Sequence, residues 1–399
     1  MNIDQLIATT QQLFANDRGL LAMDESIPTC NRRFAPLNIP QTVEARRAWR
    51  ELIVTTPGLG ESIGGAILCD ETIRQQKLDG TSFLKVLADA GILPGIKVDR
   101  GTTDLAAHPG EKVTEGLDGL RERLREYFQM GARFAKWRAV LTIGDGLPSR
   151  SGLEANAHAL ARFAALCQEA GLVPIVEPEV MMTGNHTLEV CRKVTEEVLR
   201  NVFIQLNCQR VLLEGIILKP NMILPGLTWL AHPAAKQLGA GDPPPQPTQT
   251  QTSPPSPSPS QPQPRQEQQP QQPRPQPPVQ PAASRPETEP DLEAVANVTV
   301  KSLWRTVPAA VPAIAFLSGG QPPALASARL YLMNLRFKSQ LPWALSFSFA
   351  RAIQQPALDL WRGQSANTHA AQQALLHRAQ CNRAARRGTY RAAMEQPHA

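Results

Sequence analysis

Residues 212–222 read Leu-Leu-Glu-Gly-Ile-Ile-Leu-Lys-Pro-Asn-Met, an apolar run that ends in one lysine, Lys219, and is stopped by Pro220-Asn221. A run this rich in Leu and Ile reads as a strand buried on both faces, as in parallel sheets. A lysine at its end must hold an ammonium in apolar surroundings, which depresses its pKa from ~10.4 toward ~7–8. A partly neutral amine in a dry pocket is what a carbonyl substrate requires to form a Schiff base. The alternative is a lysine that snorkels from the strand end to water. The rest of the chain decides between them.

Eight apolar runs punctuate the 399 residues: Gly19–Asp24, Gly65–Asp70, Gly95–Asp99, Phe134–Leu141, Val173–Val180, Val211–Met222, Ala313–Gly319 and Ala344–Phe349. Segments of helical period lie between them, such as 116–131 (GLDGLRERLREYFQMG) and 153–171 (LEANAHALARFAALCQEAG). Eight strand-then-helix units in roughly 340 residues point to an α/β fold, a (β/α)8 TIM barrel. One segment breaks the rhythm. Residues 238–290 are almost wholly Pro, Gln, Ser and Thr, with no aromatic side chain. Such a composition does not offset the entropy of folding and predicts a disordered or polyproline-like strap. At ~3.1 Å per residue the strap reaches on the order of 100 Å or more. Six strands precede it and two follow, and neither part closes a barrel alone. The expected organisation is one domain: barrel strands one to six in 1–237, an insertion at 238–290 after strand six, and barrel completion in 291–399. Asp291 is placed to cap the helix that resumes the barrel.

The net charge of +6 and pI near 9.1 raise the question of a polyanionic partner. Much of the excess sits at Arg378, Arg383, Arg386, Arg387 and Arg391, which reads as a solvated helix end. With only three tyrosines for base stacking, no nucleic acid is expected. No stretch approaches the ~20 apolar residues of a membrane span, so no membrane is expected. The N-terminal MNIDQLIATTQQLF reads as an amphipathic helix rather than a signal or transit segment. Six scattered cysteines without CxxC pairs suggest reduced thiols and a cytoplasmic location.

Barrel enzymes place their chemistry at the C-terminal ends of strands. Those ends carry Asp24-Glu25-Ser26, Lys97-Val98-Asp99, Lys136-Trp137-Arg138, Glu177-Pro178-Glu179, Lys219, Ser318-Gly319-Gly320 and Arg351. A buried charge is costly unless paired, so this convergence favours a site over a structural ion pair. Lys136, Lys219, Glu177, Glu179 and Asp24 would form a mixed-charge cluster for proton transfer around the amine. Ser318, Gly319, Gly320 and Arg351 suit a phosphate, through freed backbone N–H groups and a guanidinium fork. Taken alone, Ser-Gly-Gly-Gln also reads as a plain turn. Lys97, Ser26, Arg32 and Arg33 would make a second anion site opposite.

These residues carry a resemblance. LAMDES, PGIKVD, RFAKWR, PIVEPE, EGIILKPNM, AFLSGGQ and WALSFSFARA resemble the corresponding strings of class I fructose-bisphosphate aldolase, in its plastid and cyanobacterial branch, from about residue 4 to 391 outside the insertion. The resemblance implies Lys219 as the Schiff-base nucleophile and Glu177 as the acid/base for carbinolamine formation and dehydration. Asp24 and Lys136 would assist carbon–carbon cleavage, and Glu179 would orient the network. Ser318, Gly319 and Arg351 would hold the C1 phosphate, and Ser26, Arg33, Lys97 and Arg138 the C6 phosphate. No metal and no cofactor are implied, in keeping with seven isolated histidines. The implied substrate is fructose 1,6-bisphosphate, with sedoheptulose 1,7-bisphosphate as a second, and the implied assembly is a homotetramer.

Two departures qualify this. The chain stops at Gln396-Pro397-His398-Ala399, without the family's terminal tyrosine, and Tyr390 is not expected to inherit that role. Residues Ile27–Asn31 replace a smaller Gly-containing turn. The PxxP spacings of the insertion would suit an SH3- or WW-like partner, against a neutral low-complexity expansion. A rival reading is a catalytically weak scaffold of the same fold, acting through that strap.

Overall fold

The computed structural model describes residues 2–231 and 292–396. The insertion expected at 238–290 and the cap expected at Asp291 lie outside the described residues. Strands β1 (Gly19–Ala22), β2 (Ile63–Leu68), β3 (Leu93–Lys97), β6 (Phe134–Leu141), β7 (Val173–Val180), β8 (Ile217–Leu218), β9 (Ala313–Phe316) and β10 (Ala344–Phe349) close into a ring of parallel strands, in the order β1-β10-β9-β8-β7-β6-β3-β2. Helices cover its outside, as the (β/α)8 reading expects. A two-stranded hairpin, β4 (Thr102–Asp104) with β5 (Lys112–Thr114), interrupts the rhythm between β3 and β6. Among the described residues, no helix is long and apolar enough to cross a membrane.

The strand that opened the sequence reading is shorter than expected. Of Val211–Met222 only Ile217–Leu218 is strand, and Leu213–Gly215 is a 3-10 turn. Side chains take over backbone bonding on both sides. The buried Gln168 amide donates to the Leu212 carbonyl (2.8 Å) and accepts from the Leu212 N–H (2.9 Å), so this backbone has no need of a ladder. Beyond Lys219, Pro220 has no N–H to donate. The Asn221 side chain instead accepts from the Val180 N–H at 3.1 Å, continuing the tie to β7.

Side chains alternate across a strand, and this period sorts the barrel into layers. Inside the ring, Leu20, Ala22, Ile67, Phe134, Val173, Ile175, Ile217, Ala313 and Ala315 form an apolar floor, plugged by Leu6, Leu13 and Phe14 of the helix Ile3–Phe14. Gly95 is small because Phe134 fills the floor beside it, and an added Cβ would lie 2.1 Å from that ring. Two residues further along the same inward faces come Lys136 after Phe134, Glu177 after Ile175, Lys219 after Ile217 and Asp24 after Ala22. Outward residues pack against helices, as Trp137 does against Phe163 with ring centroids 5.7 Å apart.

The C-terminal helix Thr368–Arg387 corrects the expectation of a solvated basic end. Arg378 and Arg386 are buried. Arg378 donates to Ser327 Oγ (2.8 Å), while the Arg386 guanidinium lies 5.4 Å from the centre of the Phe14 ring and donates to the Arg18 carbonyl. Both bury because this helix packs on the barrel rather than leaving it. All six cysteines are free thiols.

Candidate active site

Above the apolar floor the C-terminal strand ends enclose a cavity of about 570 Å³. All twelve residues singled out as catalytic or substrate-binding line it. Its centre is a buried four-charge chain. Lys219 Nζ lies 3.1 Å from Glu177 Oε1, and Lys136 Nζ lies 3.2 Å from Glu177 Oε2 and 2.6 Å from Asp24 Oδ2. Two lysines thus face two carboxylates, and their formal charges balance. This corrects the apolar surroundings expected for Lys219, which lies one residue beyond β8 and reaches into the charged layer.

The chain sets the protonation of its members. Burial pushes the Asp24 carboxyl up, but Lys136 and then Lys219 outweigh it and hold the group at about 2. Burial likewise opposes ionisation of Glu177, and Lys136, Lys219 and Arg138 together keep its carboxyl below the usual range. Lys136, which burial alone would neutralise, is pushed well above the ordinary lysine value by Asp24, Glu177 and Asp99. Both carboxylates are therefore anions near neutrality, and Lys136 is a cation.

Glu179 stands apart from this chain. Two residues above Glu177 on β7, it pairs with Arg138 on β6 at 2.5 Å. The expected five-membered cluster is thus a chain of four with a separate Glu179–Arg138 pair beside it. Register explains the split, since Arg138 sits opposite Glu177 and Val140 opposite Glu179, so the long Arg138 side chain reaches the outer carboxylate.

The expected phosphate groups occupy opposite sides. β9, which leads to Ser318, is four places from β3 in the eight-membered ring, and β10, which leads to Arg351, is four from β6. Gly319 (φ 55°) and Gly320 (φ 86°) both adopt the left-handed backbone that favours glycine, and a Cβ added at Gly320 would lie 3.2 Å from the Arg351 guanidinium. Across the mouth, Lys97 pairs with Asp99 at 3.0 Å, and Ser26 Oγ donates to Thr29 Oγ1 at 3.1 Å. Arg32 donates to that same Thr29 hydroxyl at 3.3 Å, so the substituted Ile27–Asn31 turn begins a helix that carries hydroxyls and guanidinium groups into the cavity.

Sequence reasoning missed Glu25 as a structural hub, with its partners Arg50 and Gln354. It also missed Gly101 and Thr102 of the hairpin, and Ser348. Ser348 was findable, because it continues the inward period of β10 above Ala344 and Ser346. Tyr390 does not line the cavity, and its hydroxyl donates to Glu395 Oε1 at 2.7 Å.

A closed parallel barrel whose strand ends bring a buried lysine–carboxylate–lysine–carboxylate chain into one cavity, with arginine, lysine and glycine residues on opposite sides, is the architecture of a barrel enzyme. Comparison with known proteins makes this specific. The family "Fructose-bisphosphate aldolase class-I" matches residues 5–240 and 277–399. A Xanthomonas campestris protein named "Probable fructose-bisphosphate aldolase class 1" is 45% identical over 98% of this chain and 100% of its own length. "Fructose-bisphosphate aldolase 6, cytosolic" of Arabidopsis thaliana is 43% identical over 97% of this chain and 92% of its own. A solved Plasmodium falciparum fructose-bisphosphate aldolase, in complex with TRAP and a small-molecule inhibitor, superposes with a TM-score of 0.80 at 37% identity, covering 98% of this chain and 96% of that one. The chain belongs to the class I fructose-bisphosphate aldolase family, and it is a lyase.

Proposed function

We propose that the chain cleaves fructose 1,6-bisphosphate reversibly to dihydroxyacetone phosphate and glyceraldehyde 3-phosphate through an imine on Lys219. The observation that carries this is Lys219 Nζ lying 3.1 Å from one oxygen of a Glu177 carboxylate whose other oxygen is held by Lys136. The Glu177 anion accepts a proton from the Lys219 ammonium, and the freed amine attacks C2. Glu177 then returns the proton to the C2 hydroxyl, which leaves as water and gives the protonated imine. The Asp24 anion takes the C4 hydroxyl proton. The C3–C4 bond breaks, and its electrons enter the imine. Proton return to C3 and hydrolysis release dihydroxyacetone phosphate and restore Lys219.

Lys136 keeps Asp24 and Glu177 ionised between turnovers, and Glu179 fixes Arg138 at the C6-phosphate end with Lys97, Ser26 and Arg33. Ser318, Gly319 and Arg351 hold the C1 phosphate. The volume of about 570 Å³ suits a sugar bisphosphate. We further propose sedoheptulose 1,7-bisphosphate as a second substrate, on the likeness of the strings to plastid and cyanobacterial members. A cytoplasmic location is proposed on the relatives' cytosolic names and the free thiols, and a homotetramer on the family resemblance alone. The 238–290 segment is proposed as an insertion that leaves one barrel domain, with an SH3- or WW-like protein as its candidate partner. The test is borohydride reduction in the presence of dihydroxyacetone phosphate and EDTA, followed by peptide mass mapping. A reduced adduct on Lys219 is expected; folded protein with no adduct would refute the imine and favour the scaffold reading.

A further inference from the structure

We propose that Glu25 is a positioning residue that sets Arg33 for the C6 phosphate and so governs the preference for a bisphosphate over a 1-monophosphate. This rests on the reading above that Arg33 faces that phosphate. Glu25 follows Asp24 in sequence but serves a different network. Its Oε1 accepts from Arg33 at 2.6 Å and from the Gln354 amide at 2.9 Å, while its Oε2 pairs with Arg50 at 2.7 Å. Both carboxylate oxygens are thus committed, which leaves no free one for proton transfer in the cavity. Gln354 closes the ring: its carbonyl oxygen accepts from Arg33 at 3.0 Å, and its amide also donates to the Ala22 carbonyl on β1 at 2.5 Å. The network joins the end of β1 to three helices, Ile27–Phe34, Val43–Val54 and Arg351–Trp361.

The charge count explains why this ring would act on substrate binding. One carboxylate serves two guanidinium groups, so the buried network carries an excess of one positive charge. Arg50 is 2% exposed and does not line the cavity, whereas Arg33 does. The excess is therefore available to an anion only through Arg33. A buried, unmatched charge is unfavourable, and a phosphate arriving at Arg33 relieves it. Without the Glu25 carboxylate, Arg33 and Arg50 lose their common counter-charge. Arg33 then has no charged anchor to hold it toward the cavity.

The experiment compares cleavage of fructose 1,6-bisphosphate with that of fructose 1-phosphate, which has no C6 phosphate. For Glu25→Gln the bisphosphate KM is expected to rise about 10- to 100-fold, as for loss of a charge-assisted contact, with little change in kcat. The fructose 1-phosphate KM is expected to hold. Since Glu25→Gln strands the buried Arg50 charge, the double variant Glu25→Gln/Arg50→Met is measured beside it. Recovered thermal stability with a KM that stays high supports positioning; recovery of KM together with stability would reduce Glu25 to a structural ion pair and overturn the proposal. Equal rises for both substrates would also overturn it. Arg33→Gln separates the two readings. If its bisphosphate KM does not move, the assignment of Arg33 to the phosphate is what fails. If it moves and that of Glu25→Gln does not, the positioning role fails.

Discussion

Replacing Lys136 by methionine tests the four-charge chain directly. With Lys136 gone, the buried Asp24 and Glu177 carboxylates face Lys219 alone, and the site changes from neutral to a net charge of −1. The native surroundings hold Asp24 at about 2 against an ordinary 3.8, a preference for its anion on the order of 2 kcal/mol. Because the folded value is depressed, this contribution is present above pH 3.8 and disappears as pH falls from 3.8 toward 2. Lys136 is the chief source of that depression; without it only Lys219 and Lys97 oppose burial, and the carboxyl is expected to rise. Leaving a buried charge unpaired costs about 3–5 kcal/mol, so Lys136→Met should lose about that much stability at pH 7. The loss should shrink as pH falls toward 5, because a carboxyl raised in the folded state takes up its proton there and removes the unpaired charge. Denaturant unfolding at fixed protein concentration, at pH 7 and pH 5, measures both. The double variant Asp24→Asn/Lys136→Met restores neutrality and should recover about half of the loss. A loss below ~1 kcal/mol, the same at both pH values, or a double variant no more stable than the single one, would refute the chain as described. Cleavage by the single variant should fall about 10²- to 10⁴-fold in kcat, the usual range for a disabled proton-transfer group.

Other outcomes follow from packing and exposure. Gly95→Ala drives a Cβ into the Phe134 ring at 2.1 Å and should cost about 1–3 kcal/mol or more by thermal unfolding, with partial recovery in Gly95→Ala/Phe134→Leu; an unchanged Tm would contradict this packing. Thiol titration of native protein should find Cys208, which is exposed, reacting first, and the buried Cys30, Cys167, Cys191 and Cys381 reacting only on unfolding. Burial pushes the Cys30 and Cys381 thiols up to about 11, so fast labelling of either would mean that the barrel opens readily. Excision of residues 241–276, which fall outside the family match, should leave kcat and KM for the bisphosphate within about two-fold, since long loops cost little to close; a ten-fold rise in KM would give the segment a part in substrate binding.

The barrel was legible because its signal is local. Apolar runs at strand length, separated by segments of helical period, need no knowledge of partners, and seven of the eight runs correspond to strands within a few residues at either end. The exception, Val211–Met222, failed because hydrophobicity reports burial and not backbone pairing. Gln168 and Asn221 side chains satisfy what a longer strand would have paired. The charged residues predicted to reach the cavity were equally legible, since a charge at the end of an apolar run is conspicuous wherever its partner lies.

What the amino-acid order alone determined, then, is which residues reach the mouth of the barrel: alternation and strand length put Asp24, Lys136, Glu177 and Lys219 one step above an apolar floor. Which of them pair was decided only by tertiary structure. Strand register sends Arg138 to Glu179 and leaves Glu177 between two lysines. Glu25 meets Gln354 across 329 residues of chain, through the closure of β1 against β10 and the helix that follows β10. Distances between charges set their protonation, and those distances exist only once the ring has closed.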